Sequence, residues 1–174
     1  HFSGKKGGEW SVFGLGGLND NIFNRKDSAA VEHYKDLFDI DFDSKTYIYG
    51  ASYWKPIGTR TSLKIAYAYS RQDNDRTAVS DDRSEINMQN ERRAGLTLTL
   101  QHRISNQWRV SGGGSIQSYL FEGSTYVNQE TRYTGGIQGN FWQPWLNAEW
   151  SAPDRHWTAQ LGLQSNIYTT YLEP

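Results

Sequence analysis

Apolar and polar residues alternate with a period of two along most of the chain, the period of β-strands. The alternation is unbroken from Phe38 to Asp43, where Phe38, Ile40 and Phe42 share one parity and Asp39, Asp41 and Asp43 the other. Leu63, Ile65, Tyr67 and Tyr69 likewise oppose Lys64, Ala66, Ala68 and Ser70, and Leu96, Leu98 and Leu100 oppose Thr97, Thr99 and Gln101. Further along, Trp108, Val110, Ile116 and Leu120 face away from Arg109, Ser111, Ser115 and Gln117, as Trp157, Ala159, Leu161, Leu163 and Ile167 do from Thr158, Gln160 and Gln164. The small, polar set is too hydrophilic to be the second wall of a sandwich core and reads as a solvated interior. About seven strands are predicted, the first and last of them rising at Trp10 and Trp157.

The connections sharpen the picture. "KPIGT" after Trp54, "SNQ" after Ile104 and "APDR" after Ser151 are tight links rich in Pro, Gly, Asn and Asp. Between them lie long polar stretches around Ala30, Ser80 and Asn128, read here as long loops. Short turns alternating with long loops are the asymmetry of bacterial outer-membrane barrels, whose turns are periplasmic and whose loops are extracellular. The fold class expected is therefore all-β, an antiparallel up-and-down transmembrane β-barrel, with residues 1–174 forming part of its wall.

Tryptophan adds an independent signal. Trp54 precedes a short turn, Trp108 follows one, Trp150 and Trp157 flank a third, and Trp10 follows the turn-like "KKGG". Each has the parity read as outward on its strand, which is weakly defined around Trp10. Indole prefers the membrane interface, so the five rings are expected to form a periplasmic-side girdle on the lipid face.

Composition agrees with this reading. Aromatic residues reach 14%, with seven Trp and eleven Tyr, yet mean hydropathy is −0.77. A disordered chain is aromatic-poor, and no stretch approaches the roughly twenty apolar residues of a spanning helix. Strands that are apolar at every second position reconcile the two values. The formal net charge of −1 gives no general attraction to nucleic acid, and the absence of cysteine excludes disulfides and Cys-based metal sites.

The chemistry of the candidate site residues is sparse. Asp39, Asp41 and Asp43 would form a lumen-facing acidic row near the outer rim. Alternate residues of a strand stand about 7 Å apart, too far for them to chelate an ion unaided, so a wet face is expected and not a calcium site. His1, His33, His102 and His156 assemble no set with a serine and an acid. The glycine clusters near Gly14 and at Gly112 to Gly114 lack the helix and Lys-Ser/Thr of a phosphate loop. No enzyme activity, catalytic residue, metal or cofactor is expected.

"GEWSVFGLGGLNDNIF", "YIYGASYW", "SLKIAYAYSRQDNDRTA", "HRISNQWRVSGGGSIQSYLFEG" and "PWLNAEWSAPDRHWTAQLGLQSNIYTTYLEP" together cover most of the chain. They resemble the barrel of TonB-dependent outer-membrane receptors of the Bacteroidota type. In that group a Leu-Glu-Pro triplet, here Leu172, Glu173 and Pro174, commonly precedes a further strand. The resemblance implies a barrel of about twenty-two strands closed by an N-terminal plug, importing nutrients with energy from the inner membrane. The chain is then expected to be a fragment, with its missing neighbour strands before His1 and after Pro174. The partners implied are outer-membrane lipid, the rest of its own barrel and plug, TonB through that plug, and surface lipoproteins or other complex subunits. Two alternatives stand beside this: a structural or accessory receptor-like barrel within a larger outer-membrane complex, and a lipid-modifying barrel enzyme.

Overall fold

The computed structural model describes residues 2–3, 7–27, 31–154 and 156–173; His1, Ala30 and Pro174 lie outside them. The strands are β1 (Phe2–Ser3), β2 (Glu9–Phe23), β3 (Asp39–Ile57), β4 (Thr61–Val79), β5 (Ser84–Arg103), β6 (Trp108–Val127), β7 (Glu130–Ser151), β8 (Thr158–Gln164) and β9 (Ile167–Glu173). All pair antiparallel in one sheet whose order follows the chain, and β9 continues along β7 beyond β8. The sheet is up-and-down and open, with β1 at one edge and β8–β9 at the other.

β8 and β9 are two halves of one strand. Trp145 pairs with Gln164 and Trp142 with Ile167 in the same register, so the interruption falls opposite Gln143 and Pro144. Pro144 accepts a hydrogen bond from the Ser165 N–H at 3.1 Å. In an antiparallel ladder a residue's N–H and C=O point to the same neighbour, and proline has no N–H to return. One rung is lost, and the strand divides there. Counted this way there are eight strands, seven of them long.

The connections differ from the alternation expected. Three short links join the strands at one end, across residues 58–60, 104–107 and 152–157. At the other end only the link across residues 24–38 is long. The stretch around Ser80 is reduced to residues 80–83, and that around Asn128 to a two-residue turn, because β4, β5, β6 and β7 run on through the polar sequence. Polar side chains on both faces do not interrupt a backbone ladder. Cross-strand pairs such as Arg76 with Glu85, 3.6 Å apart, support it. Asn128 and Gln129 both have positive φ (52° and 67°), as a type I′ hairpin turn requires. The asymmetry between the two ends is thus one of overhanging hairpins more than of loops.

Almost nothing is buried. Among the described residues the buried apolar side chains are Phe38, Ala78 and Ala152. Phe38 and Ala78 sit where residues 24–27 and 31–38 lie against the sheet, the latter forming a 3₁₀ turn at Tyr34–Leu37. Asp36 fastens this connection. Its carboxylate accepts from Lys26 Nζ at 3.1 Å, Glu32 N at 3.2 Å and His33 N at 3.1 Å, while Lys26 N donates to the Asp36 carbonyl at 2.8 Å. The hydrogen bond from Lys26 holds the Asp36 carboxyl below the usual carboxylate range, against the opposing effect of its burial. Arg25 adds bonds to Asp39, at the start of β3, and to Asp81, tying the connection to the neighbouring β4–β5 hairpin.

Two outcomes follow from this packing. A carboxyl whose pKa is lowered by folding stabilises the folded form above its unfolded value and loses that effect as pH falls through the folded one. Protection of the Glu32 and His33 amides, measured against the intrinsic exchange rate at each pH, should therefore be high at neutral pH, be lost only as pH falls below about 4, and be low at every pH in Asp36→Ala. Gly113 is closely covered, since a Cβ there would press on the Leu98 carbonyl, a backbone atom of the neighbouring strand. Gly113→Ala should cost about 1–3 kcal/mol, read as a lower denaturation midpoint.

Candidate functional surfaces

Strand register settles which side chains share a face. One cross-strand row runs Val12, Ala51, Tyr67, Leu96, Ile116, Trp142, Ile167, and every member is apolar. The row beside it, on the opposite face, runs Ser11, Ser52, Ala66, Thr97, Ser115, Gln143, and every member is small or polar. The contrast continues toward the short turns. Ile65 pairs with Leu98, and Leu146 with Leu163, on the apolar face. Ser111 pairs with Gln101 and Asn147 on the polar one. Leu98 is 47% exposed and Leu163 72%, although neither has a polar atom in its side chain.

The register corrects two expectations. Trp10, Trp108 and Trp150 do stand on the apolar face, with Trp10 stacked on Tyr53 at 4.6 Å and Trp108 directly opposite Trp150. Trp54 does not. Its row is Glu9, Trp54, Lys64, Thr99, Gly113, Trp145, on the polar face. Trp157 lies in the turn before β8, its carbonyl accepting from Ala152 N at 2.8 Å. The five tryptophans therefore do not form one belt on one face.

Asp39, Asp41 and Asp43 are likewise on the face of Ile65 and Leu98, and Ile40, Phe42 and Ile48 are on the face of Lys64 and Thr99. The reason is local. Residues 24–27 and 31–38 lie on the polar face against the upper part of β3, where Ile40 pairs with the fully buried Ala78. Farther down β3, Tyr49, Ala51 and Tyr53 supply the apolar face instead. Aromatic side chains fall on both parities of "YIYGASYW", so the strand in isolation could be read either way. Asp43 stands directly between Asp20 and Asp75 across three strands, and Asp39 accepts from Arg25 N at 2.9 Å.

The apolar area is bounded toward the overhanging hairpins. Arg71 Nε donates to Asp73 at 2.8 Å, Asn90 Nδ2 donates to the same carboxylate, Arg92 Nε donates to Asn90 Oδ1 at 2.8 Å, and Arg92 also pairs with Glu122 at 3.7 Å. On β7 the limits are aromatic. Trp142, Pro144, Leu146, Ala148 and Trp150 alternate along the strand, with an indole at each end. Trp142 was not singled out from sequence because it lies far from any turn. Its signal was the eight-residue spacing to Trp150.

The polar face carries several hollows. One of about 720 Å³ lies under residues 24–27 and 31–38, between Phe23, Phe42, Lys35 and Arg76. Another, about 370 Å³, has Arg93 over the Tyr119 ring at 5.2 Å and Phe141 against Tyr168 at 4.7 Å. A third, about 330 Å³, lies by the short turns beside Trp54. Ser115 Oγ is buried with no hydrogen-bond partner among the described residues, and its ladder neighbours are Thr97 and Gln143. His102 is on the opposite face, bonded to Thr61 Oγ1 at 2.8 Å, so it is not placed to act on that hydroxyl. Among the described residues no three acidic or histidine side chains converge as a metal site. No family model, curated protein or solved structure matches the chain.

Proposed function

We propose that the chain is part of the β-barrel wall of a TonB-dependent outer-membrane receptor for nutrient uptake, with its apolar face against lipid and its polar face toward the lumen. The observation that carries the membrane reading is the pair of adjacent rows, one wholly apolar and exposed, the other small and polar, on a sheet with almost no core. In water the apolar row would be a large bare patch on a soluble protein. In a bilayer it is solvated by hydrocarbon.

Geometry supports the same reading. The row through Trp10 reaches β7 at Pro144, and Trp150 lies six positions farther toward the short turns. If the two indoles mark one membrane level, that drift over five strand steps corresponds to a tilt of about 40°, taking ~3.3 Å per residue and ~4.8 Å per strand. Transmembrane barrels tilt their strands by about 35–45°. Trp142 and Trp150 are then about 26 Å apart along β7 and about 20 Å along the membrane normal, which with the width of the rings approaches the ~25 Å apolar band. The identification as a nutrient receptor within this class rests on the resemblance of the strand sequences.

The face assignment is open to a paired test. Ala51→Arg, on the apolar face, should cost roughly 2–4 kcal/mol on refolding into bilayers, and Ser52→Arg, one residue on, should cost far less. Equal penalties would remove the lipid reading. Orientation is checked on intact cells: a tag inserted at residues 80–83 should be labelled by an impermeant reagent, and one beside Pro56 or Asp154 should not.

A further inference from the structure

The short-turn end of the polar face carries an unbalanced row of charge. Arg103 N donates to the Arg60 carbonyl at 2.8 Å, Arg103 pairs with Arg109, and Arg109 pairs with Glu149, so three arginines and one glutamate stand abreast from the 58–60 link across β5, β6 and β7, and the three arginines line one hollow. Like charges directly opposite on a sheet are destabilising, and guanidinium does not shed its proton in proteins. The internal compensation is slight. Arg109 reaches Glu149 at 3.5 Å, Arg103 reaches only the Thr59 carbonyl at 3.4 Å, and among the described residues no acidic side chain pairs with Arg60 or Arg103.

We propose that this row is a docking site for an acidic polypeptide segment. The backbones that carry neighbouring arginines are one strand spacing apart, about 4.8 Å, so a carboxylate in the hollow they line is within reach of charge-assisted bonds from two of them. Glu149 is the chain's own example, a carboxylate at the end of the row beside Arg109. A segment laid across the strands with two or more Asp or Glu side chains continues the pattern over Arg103 and Arg60. The hollow supplies the remaining contacts: Trp54 and Pro56 form an apolar wall for the carbon stems, and Ser62 and Gln101 offer neutral hydrogen bonds. The attraction is local, because the chain as a whole carries a charge of −1 and does not draw acidic partners by its overall field. The row belongs to the sheet and not to its surroundings, so this docking site stands apart from the lipid assignment.

The test uses phenylglyoxal, which modifies accessible arginines, on the purified full-length protein, with the rate at each arginine read by mass spectrometry. Arg132, in the far hairpin and 61% exposed, is the reference. Two results support the proposal. The row is modified more than about tenfold more slowly than Arg132 and is released in about 1 M salt, where the screening length falls to about 3 Å, as expected of a resident acidic segment. Alternatively, the row reacts freely and is slowed about tenfold by hexaglutamate but not by hexaglutamine, with the Arg60 protection lost in the Arg103→Gln/Arg109→Gln double variant. Two results overturn it: rates equal to that of Arg132 under every condition, or equal protection by tripolyphosphate, which would make the row a site for small oxyanions.

Discussion

A sheet one layer thick cannot hide either face behind itself, and everything else in this structure answers to that constraint. The backbone ladder satisfies the main-chain polar groups between neighbouring strands, and Phe38, Ala78 and Ala152 are the only apolar side chains buried among the described residues. Burial of apolar surface is the main favourable contribution to folding in water. Here that contribution must come from what lies against the sheet, so the chemistry of each face is a statement about its surroundings. One face is mainly apolar between Trp142 and Trp150, interrupted by Lys55 and His102, and the other is mainly small and polar along the same rows, interrupted by Trp54 and Trp145.

Two larger departures lie above that level. Phe42 and Ile40 occupy the polar face where residues 24–27 and 31–38 lie on it, and the aspartates of β3 occupy the apolar face above the polar network of Arg71, Asp73, Asn90 and Arg92. Both depart from the plain two-faced pattern beyond the level at which that pattern holds. Asp36 fastens the connection with three hydrogen bonds to one carboxylate, and Arg25 anchors it to the start of β3 and to the β4–β5 hairpin.

How much of this was legible in the sequence depends on how many strands a property needs. Strand existence needs one, and alternation revealed all seven long strands. Parity also needs one, and it sorted Leu63, Leu98, Trp108 and Leu161 onto a common face. On β3, where aromatic residues sit on both parities, only the pairing of Tyr53 with Trp10 and Ile65 decides, and Trp54 and the three aspartates were assigned to the wrong sides. The extent of β4 and β5 was missed for a related reason. "QDNDRTAVSDDRSEINMQNE" has the composition of a loop, and only the pairing of Asp73 with Asn90 and Arg76 with Asn87, braced by the diagonal Arg76–Glu85 ion pair, makes it a ladder. The arginine row is a property of the 58–60 link and its neighbouring strands together, invisible until Arg60, Arg103 and Arg109 are brought abreast.

Pro144 has a consequence for how the last strand is held. Its lost rung divides the last strand into two seven-residue lengths, β8 and β9, each held to β7 by its own ladder. A single unbroken strand would zip from the 152–157 turn in one cooperative run. With one bond of the pair missing at Pro144 and the other, from Ser165 N, kept, β8 and β9 hold to β7 as two short ladders in one register. β8 is also tethered to β7 through the short turn, whereas β9 reaches it only through β8, so the two halves can part from β7 separately.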